Sequence, residues 1–421
     1  MLDQIIENII NKIKGEVVNQ PGMDQIPLTY ILTRNIPDSV KHYFDQEVEL
    51  WLREEAEKFT SSNRFDYELP EVRVLIDKIF DILKQSANFH LTRFHRLLER
   101  AIKLEANYLI RPHQTLSQFL FRNSFIITTM EVYDTLKYFE KFQYYKDALT
   151  DYFNLKYLRE ISQPQFEELI AGIDKQVFSK EPIAKSLQTI KTIINFLNEG
   201  RTPPSESIPT DILLAAFEDR NLHEFANLVN KEMADGTEEL QLNELEQILR
   251  ARKTLKEIKA KPKPISLEQI EDIEETKPEV AVETIEVSEK VEIPTEEVEE
   301  EVEEYVEGEE EFVPSPKAAE ALAEVVAEKM KGEKLEDLHA LITPKQRKKF
   351  IKKIFRKNEK QYEQVIGLLN QTPSWKKASI VIDEYFLQAN INPYSKEALE
   401  FSDLVYNRYF PKDIGMKKEE F

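Results

Sequence analysis

The chain has 421 residues, of which 41% are hydrophobic and 32% charged, and its formal net charge is −21. That length leaves room for two or three domains at the usual ~100–200 residues each, and the charged fraction exceeds the roughly 25% of an average soluble domain. The complete lack of cysteine removes disulfides, thiolate metal sites, iron–sulfur clusters and cysteine nucleophiles together, and makes the reducing cytoplasm the expected setting.

Met1 to Lys14 mixes Leu2, Ile5, Ile6, Ile9, Ile10 and Ile13 with polar residues at helical spacing. This is an amphipathic helix and not the continuous apolar stretch of a signal peptide. Apolar runs elsewhere, such as Ile212 to Phe217, fall far short of the ~20 residues that span a bilayer, so no transmembrane segment is expected. Val40, Phe44, Val48, Trp51, Leu52, Ala56 and Phe59 line a helix after Pro37 and Asp38, and Pro70 opens another carrying Val72, Leu75, Ile76, Ile79, Phe80 and Leu83. Phe94 to Leu104 continues the pattern until Arg111 and Pro112 disfavour further helix. Ser162 with Gln165 reads as a capping box for a helix over Pro164 to Phe178. The next helix starts at Pro182 and places Ile183, Leu187, Ile190, Ile194 and Leu197 on a narrow, coiled-coil-like seam before stopping at Gly200.

Arg201 to Thr210, rich in proline and hydroxyl residues, reads as a surface loop and a subdomain boundary near 201–209. Helices resume from Thr210 and run to about Lys259. Lys261-Pro262-Lys263-Pro264 then ends the folded part. From Ser266 to Phe312 there are 21 acidic residues against Lys277 and Lys290, so nearly all of the net charge lies in one self-repelling stretch that predicts a disordered linker over 261–316. Helical pattern returns over Lys317 to Lys331, then from Thr343 and Pro344, over Lys360 to Leu369, Trp375 to Phe386 and Lys396 to Phe410, with a frayed tail over 412–421. The expected fold is all-α: an N-terminal multi-helix domain over 1–260, a long acidic disordered linker, and a small C-terminal helical module over 317–411. No repeat of fixed period stands out.

The nine glycines are scattered singly, so there is no phosphate-cradling loop and no nucleophile elbow. HExxH is absent. Glu336 and His339 make one ExxH pair, whereas a di-metal bundle needs two such pairs and two further carboxylates. His90, His95 and Glu99 share one helical run, with His113 beyond Pro112; hydrogen-bonded or surface histidines are the expectation there, ahead of acid–base chemistry. The aromatic residues between Phe119 and Tyr157 are too dense for one helix face and are expected mainly as core, ahead of base stacking or peptide binding. No catalytic residue, metal site or cofactor is expected.

The sharpest local signal is Lys345 to Lys360. Lys345, Arg347, Lys348, Lys349, Lys352, Lys353, Arg356, Lys357 and Lys360 stand against Glu359 alone, and Phe350, Ile351, Ile354 and Phe355 form an apolar stripe between them. A basic amphipathic helix over this stretch suits nucleic-acid phosphates, an anionic membrane surface or the chain's own acidic linker, unless its cations are merely solvated.

Thr343 through Phe355, with Tyr362, Val365, Leu369 and Trp375 through Ala378, resembles a helical tail module of uncharacterised bacterial proteins. In that pattern a capped helix with a short aromatic and aliphatic core precedes a helix ending in Leu-Asn and a third helix with an aromatic and alanine pair. Phe350-Ile351, Ile354-Phe355, Leu369-Asn370 and Ala378 match it. The resemblance implies a packing module over about residues 343–410 and no catalytic residue; the lysine-rich first helix is this chain's departure from it. Taken together, the residues predict a non-enzymatic interaction or scaffold protein with protein partners and two modules tethered by the acidic linker. The alternative is a nucleic-acid-associated protein using the basic helix, with the linker as autoinhibitor.

Overall fold

Among the described residues, six strands of only three residues, each with a buried apolar residue at its centre, organise the N-terminal part. The computed structural model describes residues 2–18, 23–60, 66–67, 69–259 and 335–410. The acidic stretch, the helix expected over Lys317 to Lys331 and the tail beyond Phe410 lie outside the described residues. Helix α1 (Leu2–Val17) leads to β1 (Gln25–Pro27) and α2 (Leu28–Thr33); α3 (Asp38–Thr60) follows, then α4 (Pro70–Ser86), β2 (Asn88–His90) and α5 (Leu91–Ile110). Next come α6 (Pro112–Phe121), β3 (Ile126–Thr128), α7 (Thr129–Leu136), α8 (Tyr144–Lys156), β4 (Glu160–Ser162) and α9 (Gln163–Lys180). The set closes with α10 (Pro182–Gly200), β5 (Ser207–Pro209), α11 (Thr210–Asp219), α12 (His223–Ala234), β6 (Glu239–Gln241), α13 (Leu242–Ala251) and the short α14 (Leu255–Lys259). The all-α expectation holds: among the described residues about 75% are helical, in nineteen helices, and the only sheets are two-stranded.

Each strand sits between two helices, and the strands pair antiparallel in twos, β1 with β2, β3 with β4 and β5 with β6. Their central residues meet as Ile26 with Phe89, Ile127 with Ile161 and Ile208 with Leu240, and all six are buried. The residue after each strand donates its N–H to the carbonyl just before the partner strand. Leu28 donates to Ala87 at 2.9 Å and Leu91 to Asp24 at 3.0 Å; Thr129 donates to Arg159 and Gln163 to Phe125, both at 2.9 Å. Thr210 and Leu242 repeat the arrangement with Glu238 and Glu206. Three times over, two helix–strand–helix hairpins are joined about a local two-fold. In each pair the outer helices pack together (α1 on α5, α6 on α9, α10 on α13), as do the inner ones (α2 on α4, α7 on α8, α11 on α12).

In β3, β4 and β6 the last strand residue also caps the helix that follows. Backbone N–H groups of Thr128, Ser162 and Gln241 donate to the side chains of Glu131, Gln165 and Glu244 three residues on, at 2.7, 3.2 and 3.1 Å, which satisfies groups a helix end would leave orphaned. Arg201 to Thr210, expected as a surface loop, thus contains a buried bridge. The narrow seam expected on α10 is a broader face, since Ser186, Thr189, Ile193 and Phe196 are buried beside Ile190, Ile194 and Leu197, because α1, α5, α9 and α13 all pack on this helix.

The junction between α5 and α6 is held by two adjacent charges from α11. Arg220, 2% exposed, donates to the carbonyls of Leu109 and Ile110, both at 3.0 Å, at the end of α5. Asp219 accepts the N–H groups of His113 (2.8 Å) and Gln114 (3.1 Å) at the start of α6. Cation meets the negative helix end and anion the positive one.

The C-terminal part comprises α15 (Leu338–Leu341), α16 (Pro344–Lys353), α17 (Glu359–Gln371), α18 (Trp375–Gln388) and α19 (Lys396–Tyr409). Its own apolar core, including Phe350, Phe355, Tyr362, Ile366, Tyr385 and Phe401, is separate from that of the N-terminal part. Arg408, 6% exposed, closes it by donating to the carbonyls of Glu336, Leu369, Asn370 and Thr372 at 2.6 to 3.2 Å. The two parts meet along a mainly polar seam on α5 and α6. Trp375 donates Nε1–H to Glu99 at 2.8 Å, Lys103 pairs with Asp383 at 2.7 Å and Arg100 with Asp403, and Arg96 bonds Asn407 at 2.9 Å. The side-chain amide of Asn392 donates to the carbonyls of Gln118 and Arg122 at the end of α6, and the Tyr394 ring meets Phe119 edge-on at 5.2 Å.

Helices α1 and α10 cross at Gly200, where a Cβ would sit on the Ile5 carbonyl oxygen and 2.8 Å from Ile9 Cγ1. Gly200→Ala should therefore lower stability by about 2 kcal/mol or more, as overpacking at an unyielding backbone does. Gly172, with nothing near its missing Cβ, lies within α9, where Gly172→Ala should stabilise by about 0.5–1 kcal/mol. Urea titration of the two variants beside the parent chain checks both signs.

Candidate functional site

The basic stretch forms the first long helix of the C-terminal part. Thr343 caps α16: its backbone N–H donates to Gln346 Oε1 at 3.1 Å and its hydroxyl accepts from Gln346 N at 3.4 Å, with Pro344 at the first helical position. Phe350, Ile354 and Phe355 are buried in the C-terminal core and Ile351 packs against it, so the apolar stripe fixes which way the lysines face. The helix expected to run to Lys360 stops at Lys353. Arg356 and Lys357 take left-handed backbone (φ 47° and 66°), the Lys357 N–H turns back to the Ile351 carbonyl at 2.8 Å, and Asn358 caps α17 by accepting from Gln361 N at 3.0 Å.

Packing divides the eight candidate cations into two sets. Arg347 is bound to Glu359 at 2.5 Å and Glu363 at 3.0 Å, and those hydrogen bonds raise its already high pKa. Lys349 is bound to Glu400 at 2.6 Å; that hydrogen bond raises the ammonium and holds the Glu400 carboxyl below its usual range. These two cations serve the module's own packing. Lys345, Lys348, Lys352, Lys353, Arg356 and Lys357 are exposed, and no carboxylate of the described residues lies within 4 Å of any of them. Lys345, Lys348 and Lys352 share one face of α16 at steps of three and four, which sets their rises along the axis at about 4.5 and 6 Å.

The histidine and carboxylate readings resolve into structure. His113 Nε2 lies 2.8 Å from Asp174 Oδ2, and Asp174, 1% exposed, also accepts from the hydroxyls of Tyr144 (3.0 Å) and Tyr145 (2.7 Å). Glu99 turns away from His95 to Trp375 and Lys103. Burial, helped by Lys14, lowers His95 to about 4. His339 faces Glu363 at 3.5 Å. Most of the dense aromatics pack ring on ring, as in Tyr108 with Phe139 at 4.3 Å and Tyr144 with Tyr145 at 4.4 Å, while Phe125 and Tyr157 stand 81% and 90% exposed.

Paired helix–loop–helix units are also the setting in which Ca²⁺ is held by a twelve-residue loop, with oxygen ligands at positions 1, 3 and 5, a glycine at 6 and a glutamate at 12. Taking the capping Glu131, Gln165 and Glu244 as position 12, positions 1, 3 and 5 are Leu120, Arg122 and Ser124, then Asn154, Lys156 and Leu158, then Met233, Asp235 and Thr237. Position 6 is Phe125, Arg159 or Glu238. These three loops lack that ligand pattern, and among the described residues no group of three or more metal-binding side chains is gathered. No helix of the described residues is long and apolar enough to cross a membrane.

Residues 339–410 match DUF8457, a domain of unknown function. The match covers α16 to α19 and nearly all of α15, and it agrees with the resemblance seen from Thr343 onward. No curated protein and no solved structure matches the chain. Sequence reading missed the DUF8457 seam on α5, because Trp375, Asp383 and Asp403 carry no local sign of distant partners.

A crevice of about 20 Å³ lies between α3, α5 and the α7–α8 turn, lined by Ser39, Tyr43, Glu105, Tyr108, Tyr138 and Lys141. It has room for roughly one water molecule. Burial, only partly offset by the Ser39 hydroxyl, pushes Glu105 up to about 7. Because its pKa is higher folded than unfolded, Glu105 contributes stability that is full below pH 4.5 and is lost as pH rises through 7, roughly 3 kcal/mol across that window. His95, lowered on folding, works in the opposite direction, its contribution being lost as pH falls from 6.5 towards 4. Glu105→Gln should hence gain on the parent chain between pH 5 and pH 8; paired urea curves at the two pH values isolate the difference, since the His95 contribution cancels.

Proposed function

We propose that this chain is a non-enzymatic interaction protein whose DUF8457 part presents the cationic face of α16 and its following turn to an acidic macromolecular partner. The N-terminal helical part is the second binding module, and the acidic stretch between them is the tether. The observation that carries the reading is the division among the basic residues: Arg347 and Lys349 are neutralised by Glu359, Glu363 and Glu400, and six neighbouring cations are exposed with no described carboxylate near them. Bare charge of one sign on a rigidly oriented helix gives electrostatic steering and a complementary docking face.

A second reading is supported by the spacing of Lys345, Lys348 and Lys352, whose alignment along one helix face suits successive backbone phosphates. Here the partner is nucleic acid, and the stretch Ser266 to Phe312 competes for the same face from within the chain. A covalently tethered competitor acts at an effective concentration up to millimolar.

Fluorescence anisotropy with a labelled DNA duplex separates the two. If nucleic acid is the partner, deleting 266–312 should tighten binding at least tenfold, with a steep salt dependence, and the Lys345→Glu, Lys348→Glu, Lys352→Glu triple variant should reduce the log–log salt slope by about 3. Duplex affinity that is weak and indifferent to both changes returns the assignment to an acidic protein. In that case, stoichiometric capture of a partner by the full chain, lost in the triple variant, is expected. Capture unaffected by the triple variant would remove α16 from the binding surface.

A further inference from the structure

Helix α4 departs from the pattern set by its equivalents. In the second and third hairpin pairs the helix at this position, α8 or α12, buries its apolar face: Tyr145, Leu149 and Phe153 in one, Phe225, Ala226, Leu228 and Val229 in the other. None of the 17 residues of α4 is buried. Val72, Ile76 and Phe80 are half-buried, and the neighbouring face is open, with Leu75, Ile79 and Ile82 exposed by 59%, 45% and 65%. Leu69, Val74 and Leu83 extend the exposed apolar surface at 51%, 53% and 42%. The helix is pinned in this attitude, because Lys84 is tied to Asp45 at 2.9 Å and Glu49 at 2.5 Å on α3. Its partner in the hairpin pair, α2, is only six residues long and cannot cover it.

We infer that this face of α4 is a homodimer interface, occupied by α4 of a second copy of the chain. Charge decides among the occupants. Glu71, Asp77 and Asp81 are balanced by Arg73, Lys78 and Lys84, so the helix carries no net charge. An anionic membrane surface needs a basic polar face, and nucleic acid needs unpaired cations; neither finds them here, whereas two identical neutral helices meet without net repulsion. A two-fold axis across α4 sets the helices antiparallel with opposed dipoles and brings two α3–α4 hairpins into a four-helix arrangement. Leu75, Ile79, Ile82 and Leu83 fall within about 100° of the helix circumference, so a two-fold contact across α4 meets a continuous apolar stripe with the charged residues at its rim, the anatomy of a specific interface.

Sedimentation of the full chain tests this directly. The parent should sediment increasingly as a dimer as its concentration is raised, and either Ile79→Asp or Ile82→Lys should raise the dimer dissociation constant at least tenfold. Both positions are surface-exposed and far-UV circular dichroism checks that the variants stay folded. Because the chain has no cysteine, Ile79→Cys supplies a unique thiol that should form an interchain disulfide on mild oxidation, while Lys191→Cys, at an exposed position of the otherwise packed α10, should not. A parent that stays monomeric, or a dimer that both substitutions leave intact, overturns the inference. So does an Ile79→Cys thiol that resists alkylation in the monomer and becomes reactive on deleting 261–334, since that result would give the face to the chain's own segment.

Discussion

Six side chains set the register of the whole N-terminal part. Ile26, Phe89, Ile127, Ile161, Ile208 and Leu240 lie at the centres of strands too short to be stable alone. Each pairing contributes a few backbone hydrogen bonds and two fully desolvated apolar side chains, at about 1.5–3 kcal/mol of burial per side chain. That small contact has a long reach. By tying the loop of one hairpin to the loop of its partner, it decides which helices are outer and which inner, and so where every longer apolar face is directed.

Between the hairpin pairs a different device operates. Chain direction changes abruptly at Arg111-Pro112, where a helix end and a helix start lie side by side with their orphaned carbonyl and N–H groups turned inward. Arg220 and Asp219, consecutive on the chain, answer one set each. Arg408 does the same alone for the end of α17. In both places the buried guanidinium satisfies main-chain carbonyls and holds packed helices together at their ends, where no apolar side chain can reach.

The helices were largely legible from the residues. Apolar steps of three and four located α3, α4, α9, α10 and α16 to α19, and the Ser162–Gln165 and Thr343–Pro344 signals marked starts that the structure keeps. The strand bridges were not legible, because three residues are too few to show alternation and most of the strands bury only their central one. The threefold recurrence of the hairpin pair was hidden for a related reason: Ile26 and Phe89 are far apart in the chain with α3 inserted between them, while Ile127 and Ile161 are close, so no period emerges. At the candidate site, local sequence identified the cations and the stripe beneath them. It could not separate Lys349 from Lys348, since the distinction is made by Glu400, three helices further along the chain. The seam on α5 escaped for the same reason, single charged residues giving no hint of mates hundreds of positions on.

The position of Asp383, Asn392 and Asp403 near the chain's end has a bearing on the order of synthesis. A ribosome delivers α5 long before it delivers these residues, and domains fold as units with the N-terminal one first. The nascent N-terminal part must therefore persist for an interval with Arg96, Arg100 and Lys103 facing water. Charged side chains suit that interval, since a greasy seam in the same place would invite aggregation before its cover arrived.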